Sequence, residues 1–197
     1  MATRLDLYQL HRSEYVAPGT PVLITAKPAK YLAVSGSGKP GGQDFTAAIG
    51  ALYSVAFTIK MASKFAGRDY AVSKLECLWW GTPDKRGFPI KNWQLLIRTP
   101  GFITPARVRG VQKELLARGK PPEVGLVKLI ALKEGRAVQM LHVGPYDEEQ
   151  RTMDVMHTFA TSRGLRYAGK HHEIYLSDPR RVPAARLKTI LRQPVRT

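Results

Sequence analysis

Apolar positions along the chain switch between two periods, and the switches mark the elements. Tyr31–Ser35 predicts a short strand, and the Gly/Pro-rich stretch Gly36–Gly42 after it predicts a loop. Asp44 is placed to cap a helix in which Phe45, Ile49, Leu52, Ala56 and Ile59 recur at spacings of four and three, the mark of one buried helix face. Ala71–Trp80 then predicts a strand, Gly81–Pro89 a turn-rich loop, and Trp93–Arg98 another strand. The order is β-α-β-β. It repeats further on: Ala137–Val143 is a strand, Gly144-Pro145 a break, and Asp147 with Gln150 a capping box for a helix that runs to about Arg163 and ends at Gly164. His171–Leu176 is the next strand, and Leu187–Leu191 supplies a last short one.

Between the repeats, Thr104-Pro105 is a strong helix start, because Thr can cap and Pro suits the first helical position. Val108, Val111 and Leu115 give that helix an apolar stripe, Gly119 and Pro121-Pro122 end it, and Gly125–Leu132 offers one more strand. Ahead of Tyr31 the pattern supports only a short helix at Leu5–His11 in what reads as a wrapping arm. The expectation is one α+β domain: an arm over 1–27, a first module over 28–100, a connecting helix and strand over 101–135, and a second module over 136–197. Two pseudo-symmetric β-α-β-β modules joined by short hairpins predict a mainly antiparallel sheet, with helices on one face and a ligand cleft on the other. Strand alternation sets Ile174 and Leu176 on one face and Glu173 and Tyr175 on the other. The apolar pair is expected to face the helices and Glu173 the cleft. Glu76 occupies the matching position in the first module, beside Leu78 and Trp80.

Composition narrows the class. A chain of 197 residues with 44% hydrophobic residues can build a sizeable core without metals or disulfides, and its single cysteine, Cys77, excludes an internal disulfide framework. No run approaches the ~18 uninterrupted apolar residues of a membrane span. The N-terminus, with Arg4, Asp6, His11 and Arg12, lacks the apolar stretch of a signal peptide. A cytoplasmic protein without membrane attachment is therefore expected. The charge is the anomaly: 31 Lys+Arg against 15 Asp+Glu give a formal net charge of +16. Such an excess fits a nucleic-acid binder, yet the basic residues are spread from Arg4 to Arg196 with no block of like charges, so nucleic acid is not the primary expected partner.

Several segments together carry a family likeness. Tyr31-Leu-Ala-Val-Ser-Gly-Ser-Gly38, Leu75-Glu-Cys-Leu-Trp-Trp80, Trp93-Gln-Leu-Leu-Ile-Arg98, His142-Val-Gly-Pro-Tyr-Asp147 and Lys170-His-His-Glu-Ile-Tyr-Leu-Ser-Asp-Pro179 resemble the GyrI-like small-molecule-binding family, and the last resembles its stand-alone branch. The likeness runs from about residue 5 to Arg196. It implies a ligand cleft between paired modules and an aromatic or cationic small-molecule ligand, with no cofactor. For the stand-alone branch it implies hydrolysis of cyclopropanoid genotoxins, a detoxifying, drug-resistance activity. The matching positions are Glu173 as general base and Tyr175 as a hydrogen-bonding partner, with either Tyr175 or Tyr146 placed to orient the water or hydrogen-bond the developing phenolate, and Tyr146 among the ligand-binding residues. Trp79, Trp80 and Trp93 would offer flat faces to a planar ligand, and Glu76 would anchor a cationic one. The alternative is a non-catalytic module that sequesters drugs or acts with a macromolecule such as DNA gyrase.

Each residue also has a plainer reading. Glu173 can pair with a nearby basic residue, and Tyr175 and Tyr146 can be ordinary strand and turn aromatics. Trp79 has the opposite parity to Trp80, so one of the two belongs to the core, and parity favours Trp80 for the ligand. Trp93 shares its face with Leu95 and Ile97, as a core residue would. His171 and His172 point to opposite sides of one strand and cannot easily ligate one ion, so no metal site is expected. Cys77 reads as a small buried apolar residue. Two departures from the family pattern, Cys77 where glycine is common and Lys91-Asn92-Trp93 where a second tryptophan is common, point to a different ligand.

Overall fold

A computed structural model describes residues 4–81 and 92–197; the expected loop at Gly81–Pro89 therefore falls almost wholly outside the described residues. The helices are α1 (Leu7–Leu10), α2 (Arg12–Tyr15), α3 (Gln43–Phe65), α4 (Pro105–Ala117) and α5 (Glu149–Thr161). The strands are β1 (Val22–Ala26), β2 (Ala29–Ser37), β3 (Leu75–Trp80), β4 (Asn92–Thr99), β5 (Lys128–Leu132), β6 (Gly135–Val143), β7 (Arg166–Tyr167), β8 (His171–Tyr175) and β9 (Lys188–Arg196). The class is α+β, with antiparallel strands flanked by helices. Two compact units form, one from the described residues of Met1–Leu10, Ala29–Ser73 and Trp79–Leu132, the other from His11–Pro28, Lys74–Leu78 and Lys133–Thr197.

In the first unit β2 lies between β4 and β5, antiparallel to both. Helix α3 packs on β2, β4 and α4 and buries Phe45, Ala48, Ala51, Leu52, Val55, Ala56 and Ile59. That is the predicted apolar face, widened by small residues that let the helix approach the sheet. By length and composition alone α3 would suffice to cross a membrane, a property it shares with core helices of packed domains. Helix α4 starts as expected: Pro105 is its first residue, and the Thr104 hydroxyl accepts the Arg107 backbone N–H at 3.2 Å. Thr104→Ala is expected to lower stability by about 1 kcal/mol, read as a shift of the denaturation midpoint.

Trp93 organises this core. Its ring meets Phe45 edge-on at 5.2 Å, while Trp79 stacks on the same Phe45 at 5.5 Å. Gly36 makes this possible, because a Cβ there would sit 2.3 Å from the Trp93 ring. Gly36→Ala is therefore expected to destabilise the protein by about 1–3 kcal/mol, and near-ultraviolet circular dichroism reports the displaced indole.

The second unit orders its strands β1-β6-β9-β8-β3, with β7 paired to the end of β9. Strand β9 is longer than the predicted Leu187–Leu191 and central, buried from Thr189 to Val195. β1 is an element the apolar pattern did not show. Val22-Leu-Ile-Thr-Ala26 is too short to register a period, and its strand form depends on pairing with β6, Val22 opposite Gln139 through Ala26 opposite Gly135. The capping box expected at Asp147 and Gln150 is also absent. A 3-10 turn, Tyr146–Glu148, precedes α5, the cap residue Glu148 makes no side-chain cap bond, and the Gln150 amide donates to Asp154 Oδ1 at 2.8 Å instead. Gly164 takes φ +67 just past the helix, the left-handed conformation that ends it without a Cβ clash.

The expected assignment of sheet faces reverses here. β8 pairs with β9 so that Glu173 lies opposite Leu191 and Tyr175 opposite Thr189, and opposite residues share a face. Leu191 packs with Val138, Met156 and Ala160 in the core beneath α5, so Glu173 and Tyr175 are on the helix side. The other face, which holds His172 opposite Arg192 and Ile174 opposite Ile190, is covered by the segment around α2. Alternation alone cannot rank two faces when both are buried.

Candidate functional site

The chain turns from β6 into α5 at Gly144-Pro145, and His142 fixes the turn. One ring nitrogen lies 2.9 Å from the Thr152 hydroxyl and the other 3.1 Å from the Pro145 carbonyl oxygen. This holds Tyr146 and the first helical residue, Glu149, against β8 and β9. The Tyr175 hydroxyl donates to Glu173 Oε2 at 2.6 Å, and the Tyr146 ring meets the Tyr175 ring edge-on at 5.8 Å. Glu149 lies beside Glu173 and close to the Thr189 hydroxyl. His171 Nε2 stands 3.6 Å from Glu173 Oε1.

Glu149 and Glu173 are both buried, so they form a carboxyl pair largely shielded from water. Burial first, and then the Glu173 charge, push the Glu149 carboxyl up to about 9. Tyr175 is held well above an ordinary phenol by burial and by Glu173, and Tyr146 is pushed up to about 12 by burial and by the charges of Glu149 and Glu173. Both phenols are hydrogen-bond donors across the physiological range. Outside this cluster, Tyr146, Pro145, Pro179, Val182 and Leu187 line an open depression of about 430 Å³. Tyr146 is the exposed member of the cluster and borders that depression.

Back to back with this cluster, on the other face of the same strand, runs a buried ionic chain. The Tyr15 hydroxyl donates to Glu76 Oε1 at 2.6 Å, Glu76 Oε2 lies 2.9 Å from His172 Nε2, and His172 Nδ1 lies 2.9 Å from Glu134 Oε1. Arg192 donates to Glu134 Oε2 at 2.9 Å, to Gln139 Oε1 at 3.2 Å and to the Glu14 carbonyl oxygen. Burial alone would drive His172 toward neutrality, but Glu134 and Glu76 outweigh it and raise the imidazole to about 9. Burial likewise opposes the Glu134 charge, but His172 and Arg192 bring its carboxyl down to about 2. His172 is thus an imidazolium between two carboxylates.

Of the residues singled out in the sequence, Glu173, Tyr175 and Tyr146 come together in the second unit. Glu76 belongs to the same unit but lies in the ionic chain, with no exposed surface and a partner on each oxygen. Trp79 and Trp93 are buried against Phe45 in the core of the first unit, and Trp80 in that unit is half-buried. Cys77 is fully buried. Among the described residues no group of three or more His, Cys, Asp or Glu side chains is arranged to hold a metal ion. Sequence reasoning passed over Glu149, whose one signal was the acidic run Asp147-Glu-Glu149 at a predicted helix start, too common a feature to mark a site.

The GyrI-like small molecule binding domain matches residues 99–196. An uncharacterized conserved protein from Listeria innocua is 34% identical, with a TM-score of 0.91 over 98% of this chain and 100% of that one. A hydrolase from Listeria innocua is 33% identical, with a TM-score of 0.88 over the same shares of the two chains, 98% and 100%. The C-terminal domain of EcmrR is 11% identical, with a TM-score of 0.61 over 90% of this chain and 98% of its own, a likeness of fold alone. No curated protein matches the chain.

Proposed function

We propose that this chain, which belongs to the GyrI-like small-molecule-binding domain family, is a hydrolase that opens the strained ring of cyclopropanoid DNA-alkylating compounds. The observation that carries the reading is the buried Glu173 carboxylate, hydrogen-bonded by Tyr175 and bordered by the aromatic wall of Tyr146. The full-length similarity to a protein described as a hydrolase supports a catalytic role in general.

The chemistry asks little of the protein. These compounds hold a cyclopropane conjugated to a dienone, and ring opening creates an aromatic phenol. Water oxygen forms a bond to the ring methylene, the strained carbon–carbon bond breaks, and its electron pair moves into the dienone to give a phenolate. Glu173 takes the proton that water loses, a general-base contribution worth roughly 10²–10⁴-fold. Tyr175 keeps the carboxylate oriented, and Tyr146, a donor at the border of the depression, is available to hydrogen-bond the phenolate oxygen as charge develops there. The phenolate takes a proton from solvent, Glu173 returns its proton to solvent, and the base is regenerated.

Incubation with a cyclopropane-dienone compound, read by mass spectrometry, tests the reading. The expected product is the ring-opened compound plus one water. Saturable binding without product would replace this reading with that of a sequestering module.

A further inference from the structure

Glu149 is a buried acid that the proposed hydrolysis does not itself require. It is the first residue of α5, it touches Glu173, and its Oε1 is buried with no hydrogen-bond partner. A second carboxylate beside a catalytic one would be costly, since two buried like charges in contact cannot both be stabilised. The neighbours do not relieve that cost by charge. Glu149 lies by Glu173 and Tyr175 from β8, Tyr146 from the turn before the helix and the neutral Thr189 from β9, with His171 on the far side of Glu173, and none of the groups acting on its carboxyl is a lysine or arginine.

Resting on the hydrolytic reading, we propose that Glu149 and Glu173 are a proton-sharing carboxyl pair in which Glu149 keeps the proton and, as a positioning residue, donates it in a hydrogen bond to Glu173. The division of labour follows from the surroundings. Glu173 has potential donors at both oxygens, the Tyr175 hydroxyl 2.6 Å from Oε2 and His171 Nε2 3.6 Å from Oε1, whereas Glu149 Oε1 has no donor. The charge therefore resides on Glu173 and the proton on Glu149. With donors from Tyr175 and Glu149, Glu173 is held in one orientation, and its remaining acceptor positions are those left for water. Glu149 never exchanges atoms with substrate, and its proton stays in the pair through the reaction. The single negative charge of the pair also spares the site a second buried anion.

Two measurements on the intact protein test this separately from turnover. The first is a carbon-13 NMR titration with the glutamate carboxyls labelled. One carboxyl is expected to remain protonated above neutral pH and to titrate near 9; that signal vanishes in Glu149→Gln and moves to lower pH in Glu173→Gln, where the like charge is gone. A Glu149 signal titrating in the ordinary carboxylate range overturns the pair even if turnover is found, and the expected titration supports the pair even if no substrate turns over. The second is rescue. Glu149→Ala is expected to lower kcat by about 10–100-fold, the worth of a hydrogen bond to a charged group, while Glu149→Gln, whose amide can still donate, recovers most of it. Equal losses in both variants, with both folded by circular dichroism, overturn the positioning role.

Discussion

Replacing Glu173 with glutamine is expected to slow hydrolysis of a cyclopropane-dienone substrate by roughly 10²–10⁴-fold while leaving binding largely intact, because glutamine keeps the shape of the side chain and loses only its ability to take a proton. Tyrosine fluorescence does not separate the two effects, but single-turnover kinetics and equilibrium dialysis do. Tyr175→Phe removes the 2.6 Å donor to Glu173 and is expected to give a smaller loss in kcat, with the carboxylate still present but less constrained. The contrast is informative. A base that acts alone is insensitive to Tyr175, whereas an oriented base is not. Undiminished turnover in Glu173→Gln would overturn the assignment of the base, and a raised KM with kcat unchanged would place the residue in binding instead.

The second large effect concerns stability and lies on the other side of the same strand. His172→Ala leaves the Glu76 and Glu134 carboxylates buried without the imidazolium between them. Loss of one partner from a buried ionic group costs about 3–5 kcal/mol, which corresponds to a fall in Tm of roughly 10 °C for a chain of this size. Differential scanning calorimetry or thermal circular dichroism reads it.

The pH dependence has a definite sign. His172 is raised from 6.5 to about 9, so its contribution is fully present below 6.5 and is lost as pH rises through about 9. Glu134 is lowered from 4.5 to about 2, so its contribution is present above 4.5 and is lost as pH falls through about 2. Glu149, raised from 4.5 to about 9, favours the protonated folded state, and that preference also fades as pH rises toward 9. Stability is therefore expected to decline from about pH 4.5 through Glu149 and more steeply between about 6.5 and 9, where His172 adds to it, and His172→Ala should remove that steeper part as well as lower Tm. A Tm that rises across this window would contradict the imidazolium assignment.

His172 and Glu173 show how far adjacent positions can diverge. Both are buried, one residue apart, and strand alternation sends one into a structural ion chain and the other into a candidate catalytic pair. The alternation was legible in the sequence, as was the separation of His171 from His172 that argues against a shared metal. What each face met was not. Glu76 illustrates the same limit: its position on β3 was legible, but its partners come from Tyr15 in α2 and His172 in β8, 61 residues away in the first case. Nothing in local periodicity encodes such pairings, because they depend on which segment covers a face once the strands have assembled.

Local physics, by contrast, travels with the sequence. The α3 stripe, the Thr104-Pro105 start of α4 and the glycine stop of α5 each depend on residues within a few turns of one another, and each was readable from the order of residues alone. So was the family likeness, which rests on short motifs, and so was the pairing of Glu173 with Tyr175 at i and i+2 on one strand face. Only the tertiary structure decided that this face looks toward α5, that Glu149 arrives there beside Glu173, and that β1 exists because β6 supplies its hydrogen-bond partners. The reason is the range of the forces. Periodicity and capping act within an element, whereas the burial that shifts a carboxyl to about 9 is created only when distant elements exclude water together.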